Sequence, residues 1–170
     1  MKFFILAGFL FLTACGFEPV YKNASLVGEP SQTSRSLNRV DIATIPNREG
    51  QALRNALIDR IYLGGYPSNP EYRLLISPIT ETIVEIGVDK DDNASRAQLR
   101  QETIMHLVRI DNAQTVLTRP IRATAGYNIL LGQFTTFVTE NDAREQAIRT
   151  LADNIVTQLE LYFTRNETSP

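Results

Sequence analysis

The apolar residues of this 170-residue chain change their spacing twice, and those changes divide it into helix, sheet and helix. Leu53, Leu57 and Ile61 recur every fourth position, with Ala52, Ala56 and Ile58 widening the stripe and Arg54, Asp59 and Arg60 opposite. That period lays one apolar face along a helix of about four turns, over residues 48–62. Asn47 stands where an N-cap belongs, and Gly64, Gly65 and Pro67 stop the helix. From Tyr72 the spacing shortens to two: Tyr72, Leu74 and Ile76 alternate, then Ile79, Ile83, Val84, Ile86 and Val88 continue with breaks. Pro78 marks an edge position or a bulge in this extended stretch. Residues 95–110 form a long strand, with Leu99, Thr103, Met105 and Leu107 on one parity and Ile104, His106, Val108 and Ile110 on the other. Its second half is apolar on both faces, so a central strand covered on both sides is expected. Residues 111–114 turn the chain, and residues 115–125 return. Pro120 within the returning strand points to a partly free outer edge. Three- and four-residue steps resume at Ile148, Leu151, Ala152, Ile155, Leu159 and Tyr162. They predict the longest helix, over residues 140–163, opened by a near capping box at Thr139 and Asp142.

A short strand over residues 39–45 precedes the first helix, with Val40, Ile42 and Ile45 apolar and Pro46 and Asn47 ending it. One apolar stripe on each helix and a sheet between them make an α+β fold. It reads as a two-layer sandwich, two helices packed on a roughly four-stranded mixed sheet in the order β-α-β-β-β-α. The first β-α-β passage needs a crossover, so part of the sheet is expected to be parallel.

The amino terminus is of another kind. Lys2 gives a positive start, and residues 3–12 are almost wholly apolar, too short to span a bilayer as a helix, which needs roughly 20 such residues. The run has the size of a signal-peptide core. It ends in Leu12, Thr13, Ala14 and Cys15, which resembles the lipobox of bacterial lipoproteins. In proteins with that motif the cysteine thiol receives a diacylglycerol, the bond before it is cut, and the new amino terminus is acylated. Cys15 is the only cysteine, so no disulfide explains it. Acyl chains anchor a protein to a membrane without spanning it, at about 0.8 kcal/mol per buried methylene. Gly16 stands where an aspartate commonly marks inner-membrane retention, which by analogy implies the outer membrane. The expected organisation is a leader at 1–14, a lipidated start and polar tether at 15–38, one domain at 39–164 and a frayed tail at 165–170. Phe17 and Tyr21, near the anchor, either meet a partner or the headgroup region, or pack on their own domain.

Little in the chain does covalent chemistry. The formal net charge is −2 and there is no basic run, so nucleic acid is excluded as a partner. One histidine and one cysteine leave little material for a metal site, and no cofactor is expected beyond the lipid on Cys15. Asp89, Asp91, Asn93 and Ser95 mimic the start of a calcium loop, but Ala94 and Arg100 stand where glycine and glutamate are required. No Gly-x-Ser-x-Gly elbow, phosphate-binding glycine loop or His-Glu-x-x-His helix is present. Glu81 and Glu85 share one strand face and do not form the opposed pair of a glycosidase. His106 reads as structural or partner-facing, and an enzyme is not expected. Arg96, Arg100, Arg109, Arg119 and Arg122 lie on the two hairpin strands. They are either solvated charges or candidates for gripping an anionic lipid headgroup with their planar forks.

Together these residues resemble a family. Cys15, Gly16, Phe17, Pro19, Val20 and Tyr21 are similar to the opening of the LptE family of lipopolysaccharide-assembly lipoproteins. The likeness continues in Gly50, Gln51, Leu53, Arg54, Asn55 and Leu57, and again in Tyr127, Asn128, Ile129, Thr136, Glu140, Asp142, Ala143, Arg144 and Glu145. The resemblance implies a non-enzymatic lipoprotein at the periplasmic side of the outer membrane. It implies a partner, the LptD β-barrel, which such proteins help to assemble and plug, and a ligand, lipopolysaccharide. A plug is expected to expose apolar or aromatic surface, for which Tyr127, Phe134 and Phe137 are candidates. The alternative from another class is a lipoprotein subunit of an outer-membrane phospholipid transport system.

Overall fold

The computed structural model describes residues 36–87, 96–129 and 133–167, with side chains of the last segment described from 135 to 166. The leader, Cys15, most of the tether, the turn at 89–93 and the side chain of Phe134 lie outside the described residues.

Among the described residues, seven elements follow one another: β1 (Val40–Ile42), α1 (Asn47–Ile61), β2 (Tyr72–Ile76), β3 (Thr80–Glu85), β4 (Arg96–Arg109), β5 (Thr115–Asn128) and α2 (Gln133–Glu167). The sheet is mixed and five-stranded, and it is not closed. β1 pairs parallel with β2, as the crossover through α1 requires. β4 runs through the middle, antiparallel to β5 along one edge and to β2 and then β3 along the other.

β2 and β3 are therefore two halves of the single extended stretch expected from the sequence. Ile76 faces Met105 and Thr80 faces Glu102, so Ser77, Pro78 and Ile79 oppose only Thr103 and Ile104. That extra residue is a bulge at Pro78, which has no N–H for the ladder. The break is tied down by Ser77, whose N–H goes to the Ile104 carbonyl (3.0 Å) and whose carbonyl accepts from Thr103 Oγ1 (2.7 Å).

Both helices cover one face of the sheet. The core is built from Val40, Ile42, Leu74, Leu99, Met105 and Leu107 on the strands, and from Leu53, Leu57, Leu151, Ile155 and Leu159 on the helices. Gly50 lies where α1 meets the end of the first strand segment: a Cβ there would stand 2.6 Å from Ile45 Cγ2. Close approach to Ile45 is thus the physical reason for the glycine in the Gly50–Leu57 motif.

Several boundaries differ from the sequence expectation. Ser36 and Leu37, assigned to the tether, are buried in the domain. α1 is not capped by Asn47; Pro46 occupies the cap without a side-chain bond, and Asn47 sits at φ 70°, a left-handed conformation that asparagine tolerates. α2 starts seven residues before the expected 140 and continues past the expected 163 to Glu167, within the segment expected to fray. Thr139 does not cap it: its hydroxyl donates to the carbonyls of Asn128 (3.1 Å) and Thr136 (2.9 Å), fastening the helix to the end of β5.

Candidate interaction surface

Side chains alternate across a strand, so β4 sorts its residues cleanly. Ala97, Leu99, Gln101, Thr103, Met105 and Leu107 are buried beneath the helices. Arg100 and Ile104 on the other parity are exposed, and Gln98, Glu102, His106 and Val108 are half-buried. β4 is central, as expected, but it is covered on one face only. Its apolar second half meets solvent on the side that carries Ile104, His106 and Val108.

The register shows which residues join them. Leu75 lies beside His106, Arg73 beside Val108, Pro120 beside Ile104 and Thr118 beside His106. Ile104 is 44% exposed and Leu75 39%, although both lie within the sheet and not at its rim. His106 Nδ1 stands 3.1 Å from Thr118 Oγ1, a cross-strand contact on this surface. Toward the other end the same face turns mostly polar, with Gln98, Arg100, Glu102, Thr80, Thr82, Arg122 and Thr124 around one exposed apolar residue, Val84. The open face is therefore graded along the strand direction, more apolar where β2 flanks β4 and more polar and cationic where β3 does.

The five arginines do not form one cluster. Arg96, Arg100 and Arg122 share the open face. Arg122 is neutralised by Glu102 across the strands (3.2 Å). The guanidinium groups of Arg96 and Arg100 make no hydrogen bond or ion pair with any described residue. Arg109 and Arg119 have the opposite parity. Arg109 lies 6.0 Å from the centre of the Tyr72 ring, beside the edge-on cluster of Tyr72, Tyr162 and Phe163. Arg119 turns back on the Thr118 carbonyl (3.1 Å).

Of the aromatic candidates, Phe137 is 61% exposed on the first turns of α2, and Tyr127 is half-buried against the core. Leu75, Ile104, Val108 and Pro120 were not singled out in the sequence as a joint surface. The apolar second half of β4 carries the signal for them, but apolarity alone does not say which molecule provides the cover.

On the helix-covered face, Glu81 is more than a solvated acid. Arg144 of α2 reaches it with two nitrogens, Nη2 to Oε1 at 2.8 Å and Nε to Oε2 at 3.0 Å, and also holds Glu140 at 2.6 Å. Gln101, fully buried, donates Nε2 to Glu81 Oε2 at 3.0 Å. The bonds from Arg144, and secondarily the one from Gln101, hold the Glu81 carboxyl below the usual carboxylate range against the opposing effect of burial. The sign follows: stability from this group is fully present above its ordinary pKa of 4.5 and is lost as pH falls through the depressed value. Glu81→Gln is expected to flatten the acid side of the stability profile below about pH 4.5 while lowering stability at neutral pH by about 1 kcal/mol. Urea titrations of both proteins between pH 3 and 7 measure this.

Among the described residues no helix is long and apolar enough to cross a membrane. A comparison with curated proteins finds no match. Among solved structures, a Caulobacter crescentus chain described as a lipoprotein has a TM-score of 0.59 at 20% identity, covering 78% of this chain and 96% of its own. Rare lipoprotein B of Shewanella oneidensis has a TM-score of 0.59 at 8% identity, covering 75% and 96%. A minor lipoprotein of Acinetobacter baumannii has 0.52 at 16%, covering 72% and 89%. At these identities the likeness establishes the fold. The LptE family model, described as lipopolysaccharide-assembly, matches residues 37–160, which run from the buried Leu37 through β1–β5 into the last turns of α2. The chain belongs to the LptE lipopolysaccharide-assembly family, a non-enzymatic family of lipoproteins.

Proposed function

We propose that this protein is anchored at the periplasmic side of the outer membrane by acyl chains on Cys15 and docks the open face of its sheet against an LptD-type β-barrel. In that position it helps to assemble and plug the barrel through which lipopolysaccharide reaches the outer leaflet. The observation that carries the reading is the apolar strip on the open face, with Ile104 and Leu75 exposed and Val108 half-buried, along the central strand and its β2 neighbour. Apolar residues on both parities of β4 fit a strand covered on both sides, and the domain itself covers one. The partner supplies the second cover. Arg96 and Arg100, at the more polar end of the same face and without a carboxylate partner among the described residues, are offered to the phosphates of lipopolysaccharide. No covalent step is required of the protein.

The test is a mild-detergent pull-down of tagged full-length protein from native membranes, with the partners identified by mass spectrometry. An outer-membrane barrel in near-equal amount is expected with the wild type. Ile104→Asp, which places a charge in the apolar strip, is expected to reduce barrel recovery at least tenfold while leaving the thermal midpoint of the isolated protein within a few degrees. Recovery of a transporter of the ATP-binding type in place of a barrel would transfer the protein to phospholipid transport. Cys15→Ala is expected to abolish palmitate labelling; unchanged labelling would remove the anchor from the reading.

A further inference from the structure

A sheet that is not closed has edges, and a row of unpaired N–H and C=O groups at an edge is a template for another strand. Two edges of this sheet are blocked by side chains. At β1, the Tyr62 hydroxyl accepts from the Ile42 N–H (2.9 Å) and donates to the Val40 carbonyl (3.0 Å). At β5, Asn154 Nδ2 donates to the Arg122 carbonyl (3.0 Å) and Thr139 Oγ1 to the Asn128 carbonyl (3.1 Å). Pro120, of the same parity as Arg122 and Asn128, has no N–H to offer there.

β3 has no such protection among the described residues. All six of its residues, Thr80–Glu85, are exposed. The Ile86 N–H goes to the Arg96 carbonyl (2.8 Å), so the even-numbered residues of this strand turn their peptide groups toward β4. The odd-numbered ones, Glu81, Ile83 and Glu85, turn theirs away. Thr80, Thr82, Ile83 and Val84 are β-branched, which keeps the strand extended, and no proline or lysine blunts it.

We infer that the outer edge of β3 is a strand-addition site for an extended segment of a partner polypeptide, bearing an apolar residue opposite Ile83 and Lys or Arg opposite Glu85. This assigns a second surface and does not depend on what covers the open face. The charge pattern selects the occupant. Glu81 is already held by Arg144 and Gln101, so Glu85 is the acid left for a partner's cation. A second copy of the chain fits poorly. Antiparallel self-pairing centred on Ile83 sets Glu81 opposite Glu85 twice, and the adjacent registers centred on Thr82 or Val84 set Ile83 opposite a glutamate. The partner pattern for antiparallel addition is therefore basic-x-apolar, read from the amino end, on one face of an extended segment.

The test uses the full-length protein and a fluorescein-labelled peptide, acetyl-Thr-Lys-Val-Val-Thr-Thr-Thr-amide, which runs antiparallel to β3 with its lysine opposite Glu85. Saturable binding by anisotropy is expected, with amide exchange of Glu81, Ile83 and Glu85 slowed at least tenfold and that of Thr82 and Val84 unchanged. Replacing the peptide's lysine by glutamate is expected to weaken binding at least tenfold. Ile83→Pro removes an outward N–H that β4 does not use, and is expected to abolish binding while Thr82 and Val84 stay protected. Absence of saturable binding, equal affinity for the lysine and glutamate peptides, or binding that survives Ile83→Pro with the β3–β4 ladder intact would each overturn the inference. So would concentration-dependent protection of the same three amides in the isolated protein with a doubled mass, which would make the occupant a second copy.

Discussion

Leu107→Ala is expected to lower the free energy of unfolding by about 2–5 kcal/mol. Leu107 is fully buried on the helix-covered face of β4, with Leu74 beside it on β2 and Leu117 on β5. Removing three carbons there forfeits both the transfer of that side chain from water and its packing. The cavity cannot collapse freely, because β4 is held by strands on both edges. Small domains have only about 5–15 kcal/mol in total, so the variant should be visibly less stable in urea or heat. Ile104→Ala, three positions away on the open face, removes a comparable side chain and is expected to cost no more than about 0.5–1 kcal/mol, since much of that side chain is already in water. A similar loss at both positions in the isolated protein would mean that the uncovered face is covered by something within the chain.

Tyr62→Phe is the second large effect, and one oxygen atom causes it. The hydroxyl is hydrogen-bonded to both the Ile42 N–H and the Val40 carbonyl, and all three residues are buried. Burial pushes the Tyr62 pKa up, so the hydroxyl keeps its proton and can donate to Val40 while accepting from Ile42. Without the oxygen, a donor and an acceptor of β1 are left desolvated and unpaired, at about 1–3 kcal/mol for each group that water cannot reach. The expected loss is about 2–4 kcal/mol in chemical denaturation, with amide exchange accelerated first at Ile42. A loss below about 0.5 kcal/mol would show that β1 does not need this cap.

Periodicity made much of this fold legible. α1 was clear because Leu53, Leu57 and Ile61 stand in one row between Pro46 and the Gly64–Gly65 pair. The β4–β5 hairpin was clear because its turn at Asp111, Asn112 and Ala113 is short and the pairing is local. The crossover logic anticipated the parallel pairing of β1 with β2. What the sequence concealed depends on distant groups. The break between β2 and β3 needs three residues facing two on a strand, with Ser77 and Thr103 lying 26 positions apart. The early start of α2 rests on Thr139 fastening to Asn128 instead of capping its own helix. The uncovered face was misread for a more basic reason. An apolar residue records that something covers it, and not whether the cover belongs to the same chain. Likewise, it is the strand register that divides the five arginines, Arg96, Arg100 and Arg122 on one side and Arg109 and Arg119 on the other, and nothing local told that Glu102 would neutralise Arg122.

The one-sided sheet also has a calorimetric consequence. Apolar surface in contact with water contributes positively to heat capacity, at about 0.45 cal/mol/K for each Å². The strip of exposed Leu75 and Ile104 with half-buried Val108 holds part of that contribution in the folded, isolated protein, where a sheet packed on both faces would already have released it. Any partner that covers the strip must therefore associate with a negative heat-capacity change, and its enthalpy of binding must become more favourable as temperature rises. Titrations at several temperatures would thus distinguish a partner that takes up the apolar end of the face from a ligand held only by its arginines.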